Sequence, residues 1–422
     1  MPGTGSQSSI SVMAQPHAAE VGESSLIANA FSREFRFLVA ACVWPHSEAR
    51  AERLSRALQT DLDWNEVLRL TERHRVFGLV SDAFDHVPSD AVPELVRKSI
   101  TEKATLLARE NLLLASESVR IARLMEIAGI PVAFLKGVPL AIMIYGGLSL
   151  RHSRDIDLLV SEEVAVPASQ VLRSAGYQGV SKRRITADDE VQRWFRDNRD
   201  MEYVHENSGI RVELHVRMFE NPLLNQGFGS ECWQPVSVGG ANLFSLKHQE
   251  LFLYLCLHGA MHGWFRLKWL ADIGALLSQA AESNSQQLLQ SAEELNIALP
   301  VLHAVELSSC FLETPRLGGR YASSWRERLL THIALQELFC KSAPEGLNFR
   351  TSRVRLCPYL FRSDWRYLWL QVRCDFTHEA DRQLLPLPDA LSFLYPILRP
   401  FLWVIRHLLK HCGISLRGTH RS

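Results

Sequence analysis

The chain has 422 residues, 47% of them hydrophobic and 22% charged, with 46 basic side chains against 46 acidic ones. That length buries a large core and accommodates two or three structural units, and the composition is that of a soluble globular protein. A formal net charge of zero leaves no global field to recruit nucleic acid, so a polyanion is not the default partner.

Residues 1–24 are rich in Gly, Ser and Pro and lack the basic and apolar regions of a signal peptide, so they read as a disordered tail. Residues 25–128 carry helical spacing. Asp63 is placed to cap a helix with Glu66 at its third position, and a long helix runs from Val96 to Ala128 with Gly129 as its stop. The pattern changes over 129–245. Pro131 to Leu135 reads as a short strand, Lys136-Gly137 breaks it, and Val138 to Tyr145 reads as a helix with proline in its first turn. Asp155 to Val160 is a second strand and is followed by a helix to Ala175. A hairpin pairs Met201–His205 with Ile210–Val216 around Glu206-Asn207-Ser208-Gly209, and a shorter one turns at Gly239-Gly240. Residues 246–422 return to helical spacing. The fold class expected is α+β: a small mixed β-sheet core flanked by N-terminal and C-terminal helical regions.

The eight cysteines are scattered without a CxxC pair, which fits reduced thiols in a cytoplasmic protein better than a zinc ribbon or disulfide framework. No uninterrupted apolar run reaches membrane-spanning length. In the stretch 391–410, Arg399, Arg406 and Lys410 share a helical stripe with apolar neighbours. That pattern fits either peripheral contact with an anionic membrane or packing against the rest of the chain, and Pro396 and Pro400 favour packing. Lys182-Arg183-Arg184 reads as a solvated basic loop.

The run Ser153-Arg154-Asp155-Ile156-Asp157-Leu158-Leu159-Val160 carries the sharpest chemistry. In a strand the two aspartates point one way and Ile156, Leu158 and Val160 the other, with about 6.6 Å between the acids' Cα atoms. The bland reading is an edge strand whose acids are solvated or paired with Arg151 and Arg154. In Ile210 to Val216 the alternation repeats, setting Arg211, Glu213 and His215 on one face. If the two strands are neighbours, Glu213 becomes a third carboxylate in the same cleft. Three convergent acids repel unless a cation neutralises them, which is the demand of a divalent-metal site. Lys136-Gly137 stands where a strand feeds a helix, so that glycine and the first helical amides face an anion and Lys136 adds a charge. Together these parts describe a site for a metal-bound nucleoside triphosphate, with Mg²⁺ or Mn²⁺ as the ion.

The runs LKGVPLAIMIYGGLSLRHSRDIDLLV, LRSAGY and VELHVRMF resemble the nucleotidyltransferase fold of the DNA polymerase β superfamily, specifically its bacterial branch of largely uncharacterised nucleotidyltransferases. DWNEVLRLTERHRVFGLV, LKHQELFLYLCLHGAMHGWFRLKWLADIGALL, DWRYLWLQVR and LPLPDALSFLYPILRP look like that branch's flanking helices, so the resemblance extends over most of 60–405. It implies that 129–245 is a nucleotidyltransferase core. It implies also that Asp155 and Asp157 bind two ions, that Glu213 holds the catalytic one and orients or deprotonates an acceptor hydroxyl, and that attack on the α-phosphate expels pyrophosphate. Gly137 and the helix amides would take the triphosphate, neutralised by Lys136, Arg151 or Arg154. Many members of the wider superfamily carry Gly-Ser where this chain has Gly137-Val138.

The expected activity is therefore transfer of a nucleoside monophosphate from a triphosphate to a hydroxyl of a small molecule or protein. The alternative is a non-catalytic nucleotide- or metal-binding partner protein on the same fold; three mutually repelling acids favour the enzyme. A polynucleotide acceptor is the weaker variant, given the charge balance. On the acceptor side stand His215, His258, His262 and Arg266. His215 either lines the site or orients a carboxylate. His258 and His262, four apart on a helix, read as packing, a substrate contact or a zinc pair without an evident third ligand. Arg266, with Lys268 and Asp272, reads as either a solvated face or an acceptor pocket.

Overall fold

A computed structural model of the protein describes residues 31–180, 187–279, 282–316, 324–340 and 353–376, with single positions between 384 and 405. The tail 1–24, the Lys182-Arg183-Arg184 run and Arg406, Leu409 and Lys410 lie outside the described residues.

The described residues open with helices α1 (Arg33–Ala41), α2 (Glu48–Leu58), α3 (Trp64–His74) and α4 (Phe77–Phe84). Asp63 caps α3, accepting from the amides of Asn65 and Glu66. The 34-residue α5 follows over Glu94–Ile127. Two residues of this region shape the loop that leads to the aspartates. Gly78 lets α4 meet that loop backbone to backbone, since a Cβ there would stand 2.3 Å from the Ser149 carbonyl oxygen. On α5, the buried Asn111 donates through Nδ2 to the carbonyls of Leu148 (2.6 Å) and Arg151 (2.8 Å), and its Oδ1 accepts from the Ser153 amide (3.0 Å).

The sheet begins with β1 (Ala133–Phe134), followed by α6 (Val138–Tyr145), β2 (Asp155–Leu159), α7 (Ala165–Ser174), β3 (Tyr177–Gly179), α8 (Asp188–Asp197), β4 (Asp200–His205) and β5 (Arg211–His215). Its strand order is β1-β2-β5-β4-β3, with β2 and β5 parallel and the other pairings antiparallel, so the sheet is small and mixed as expected. The edge strand β3 and helix α8 are additions to the sequence reading. Hairpin β6 (Trp233–Val238) and β7 (Ala241–Leu246) forms its own two-stranded sheet. It is tied to the first through Ser245, whose hydroxyl donates to the Phe134 carbonyl at 2.7 Å.

Downstream come α9 (His248–Met261), α10 (Leu267–Gln279), α11 (Glu282–Glu294), α12 (Ala298–Leu312), α13 (Trp325–Phe339), α14 (Cys357–Phe361) and α15 (Trp365–Phe376). Among the described residues no helix is long and apolar enough to cross a membrane. Among the described residues no cysteine is in a disulfide. Of the C-terminal stripe, Arg399 donates to the Asp375 carbonyl at 2.8 Å, while Ile397 and Phe401 are exposed.

Alternation divides the sheet between two cores. Ile156, Leu158, Val160, Val212, Leu214, Met201 and Tyr203 pack with residues of α5, α7 and α8. Leu159, Ala133 and Leu135, from the opposite face, join the larger core that includes Leu251, Tyr254 and Leu255 of α9. On the acid-bearing face Asp157 is 1% exposed, whereas Asp155 and Glu213 are half-buried.

Candidate functional site

The parallel register of β2 and β5 sets Asp157 opposite Glu213, Leu159 opposite His215 and Asp155 opposite Arg211. Side chains two apart share a face, so Asp157, Glu213 and His215 converge, and one ligand atom from each lies within 4.8 Å of the others. His215 Nε2 stands 3.4 Å from both Asp157 Oδ1 and Glu213 Oε2, and its Nδ1 is 3.6 Å from Asp200 Oδ2. Arg199 continues the chain of charge, with Nε 2.9 Å from Asp200.

Lys136 supplies the counter-charge, its Nζ 3.0 Å from Asp157 Oδ1. Yet neither Asp157 oxygen has a hydrogen-bond partner, and both are buried, as are both unpartnered nitrogens of His215. Charge attraction holds these groups together without hydrogen-bond geometry, leaving lone pairs pointed at one another. The electrostatics follow. Burial pushes the Asp157 carboxyl up, but Lys136 and His215 overrule it and hold the group well below the ordinary carboxylate range. Asp155 goes the other way, raised by burial and by Asp157, with Lys136 and Lys268 opposing. Burial works against a charged Lys136, but Asp157, Tyr254, Asp155 and Glu213 together raise it above its ordinary value. His215 is lifted by Asp157 and Glu213 against its burial.

Two carboxylates, an imidazole and the buried orphaned oxygens of Asp157 suit a divalent cation of the Mg²⁺ or Mn²⁺ kind, and the imidazole leans the set towards Mn²⁺; Asp155, two residues before Asp157 on the same face, stands beside this set rather than in it. A second grouping, His46, Asp82 and His86, has a different character. There Arg50 already donates to Asp82 Oδ2 at 2.8 Å and contacts His46 Nδ1, so an incoming cation would meet a guanidinium.

Gly137 adopts φ 74° immediately before α6, and the nearest atoms to a Cβ there would be the Asp155 carbonyl at 3.6 Å and Ser153 Oγ at 3.9 Å. The start of α6 thus lies beside the start of β2, where helix amides and acids can act on one ligand.

The remaining candidates divide. Arg154 is exposed and stands beside a cavity. Arg151 is turned inward: Nε donates to both Asp272 oxygens, at 3.1 and 3.0 Å, and the guanidinium is buried. Its charge is spent on a core ion pair, which removes it from the expected phosphate contacts. Asp272 likewise belongs to neither a solvated face nor an acceptor pocket. His258 and His262 have ring centroids 4.6 Å apart, each 5.3 Å from that of Trp269. Burial, then His262, then Lys136 drive the His258 pKa well down, so this imidazole is neutral, and it lies near the acid face rather than in a metal set. Arg266 is tethered, donating to the Arg73 carbonyl at 3.1 Å with its guanidinium 4.9 Å from the Phe265 ring centre.

Three residues near the acids escaped the sequence reading. Tyr254 on α9 and Arg199 before β4 lie in segments whose spacing reports only amphipathicity. Arg75 had a visible signal: it follows a capped helix at the point where the apolar pattern restarts, and there the backbone is left-handed, with φ 57°.

No curated protein and no solved structure matches the chain. A family model described as "Uncharacterised nucleotidyltransferase" matches residues 60–313, a span that includes both acid strands, the Lys136-Gly137 turn and the helices packed around them. The chain belongs to this nucleotidyltransferase family and is an enzyme of that class.

Proposed function

We propose that the protein transfers a nucleoside monophosphate from a triphosphate to a hydroxyl of a small molecule or protein, with Asp155, Asp157 and Glu213 as the metal-binding acids. The observation that carries this reading is the parallel register that sets Glu213 opposite Asp157 on a buried face with unpartnered oxygens. Membership of the DNA polymerase β superfamily belongs to the same proposal, supported by the order of Lys136-Gly137, the aspartate pair and the later acid along the chain.

A bound Mg²⁺ or Mn²⁺ would neutralise the carboxylates and withdraw charge from the reacting phosphate. The chain's own groups do the rest. Gly137 lets a phosphate approach the first amides of α6, and Arg154 adds charge at the rim. Lys136 is poised to turn from Asp157 to a phosphate oxygen. Glu213 orients the acceptor hydroxyl, whose oxygen bonds to the α-phosphorus while its proton passes to Glu213 or water. The bond from the α-phosphorus to the bridging oxygen breaks, and that electron pair leaves with pyrophosphate. His215, between Glu213 and Asp200, holds the carboxylate in place.

The test is incubation of the purified protein with Mg²⁺ or Mn²⁺, each α-labelled triphosphate and cell extract. Label should pass to an acceptor with the wild type and not with an Asp155→Asn, Asp157→Asn double variant. Absence of transfer from every triphosphate, together with absence of metal-dependent triphosphate binding, would sink the reading.

A further inference from the structure

Beside the start of β2 lies a cavity of about 450 Å³ whose walls include Glu72, Arg75, Lys103, Glu110, His152 and Arg154. It abuts the proposed phosphate turn, because Ser153 lines it and also faces Gly137. Its charges are not balanced. Neither Arg75 nor Arg154 makes an ion pair or side-chain hydrogen bond among the described residues, and Glu110 lies 3.3 Å from His152 Nε2. That contact has no hydrogen-bond geometry, and burial and Lys268 lower the His152 pKa to about 3. Behind His152 stands Lys268 at the start of α10, its Nζ donating to the His152 carbonyl at 3.2 Å.

The cations press on one another. Burial and Arg154 lower Arg75 to about 10, while burial, Arg75 and Arg154 lower Arg266 to about 9. Burial and Arg151 drive Lys268 downward, with Asp272 opposing. The backbone adds a second sign. Arg75 occupies the left-handed position that ends α3, where Gly or Asn is the less strained choice at a cost of order 1–2 kcal/mol for other residues. A long cation placed there at that cost, unpaired and facing a cavity, implies a partner that enters from outside.

We infer that Arg75 and Arg154 hold the β- and γ-phosphates of the triphosphate, the part that departs as pyrophosphate. The inference rests on the nucleotidyl-transfer reading and deepens it. The cavity adjoins the start of β2 through Ser153 and Arg154, beside the Gly137 turn that opens α6. When the bridging bond breaks, the electron pair that stays on pyrophosphate meets two guanidiniums. Arg75 comes from the end of α3, outside the sheet, which gives that helix a part in the chemistry.

The test is calorimetry on the full chain with Mn²⁺, using inorganic tripolyphosphate, the four nucleoside triphosphates and their monophosphates as probes. In the wild type, triphosphate should bind more tightly than monophosphate. An Arg75→Gln, Arg154→Gln double variant should weaken triphosphate and tripolyphosphate by about 10- to 100-fold and leave monophosphate unchanged. Arg75→Lys with Arg154→Lys should restore most of the loss, and thermal melts of each variant report whether the fold is kept. Unchanged triphosphate binding by the folded glutamine variant overturns the subsite alone. A wild type that binds no triphosphate with any ion overturns the nucleotidyl-transfer reading, and the subsite with it unless tripolyphosphate still binds through the two arginines.

Discussion

Arg151 and Asp272 face each other at 3.0 Å inside the protein, and so do Lys136 and Asp157, yet only the first pair is complete. Arg151 reaches both Asp272 oxygens through Nε and Ser153 through Nη1, and the Tyr145 hydroxyl donates to Asp272 at 3.2 Å. Lys136 and Asp157 are crowded by Glu213, Asp155 and His215, and both Asp157 oxygens lack hydrogen bonds. A buried pair with its lone pairs satisfied is a structural element, whereas a buried pair short of donors is strained until something else arrives. The contrast separates an arginine that builds the loop from residues to which the proposed function gives a ligand, although Arg151 and Asp157 belong to the same run from 151 to 157.

Breaking the incomplete pair should cost activity most. Asp157→Asn is expected to lower label transfer by about 10³-fold or more, about 4 kcal/mol of transition-state stabilisation, in single-turnover assays at saturating Mn²⁺. The same change should flatten the acid limb of the metal-free protein. Asp157 titrates below its unfolded value of about 3.9, so its share of stability is full above that pH and disappears as pH falls through the folded value. Urea midpoints of wild type and variant measured from pH 5 downward should therefore converge.

Breaking the complete pair should cost stability instead. Asp272→Asn strands a buried guanidinium, and unfolding in urea should register a loss of about 3–5 kcal/mol. A loss below about 1 kcal/mol would mean that water or another acid reaches Arg151, and the structural assignment of that arginine would fall. Asn111→Ala sits between these cases, for it removes the three hydrogen bonds that hold the loop while leaving every charge in place. It should cost about 1–3 kcal/mol and hasten hydrogen exchange at the Ser153 amide, which loses its acceptor.

The acids were legible because strand alternation has period two: Asp155 with Asp157, and Glu213 with His215, share a face whatever the rest of the chain does. That β5 lies beside β2, with Asp157 opposite Glu213, was a condition the sequence could state but not settle. Arg151 was misassigned because its partner lies 121 residues downstream on α10, where no local pattern points back to it. The packing of α9 residues into one core with Leu159, Ala133 and Leu135 was hidden for a related reason. Alternation tells which residues share a face and is silent about what packs on it. Arg75 looked like an ordinary helix-terminal cation, and its left-handed backbone and open cavity exist only once α3, α5 and the loop are brought together.

The smallest expected effect separates the two pairs most cleanly, because it asks each to respond to the same ion. If Asp157, Glu213 and His215 hold a divalent cation, Mn²⁺ at about ten times its dissociation constant should stabilise the folded chain by about 1.4 kcal/mol, seen as a rise in the thermal midpoint. Asp272→Asn should keep that increment while lowering the baseline, since its pair takes no part in binding. Asp157→Asn should lose it, the increment being read against the variant's own ion-free baseline, which above pH 5 lies below that of the wild type. The two variants would then differ in kind, both lower in baseline stability but only Asp272→Asn keeping the response to the ion. An equal Mn²⁺ shift in wild type and Asp157→Asn would place the ion elsewhere, and the unpartnered oxygens of Asp157 would need another occupant.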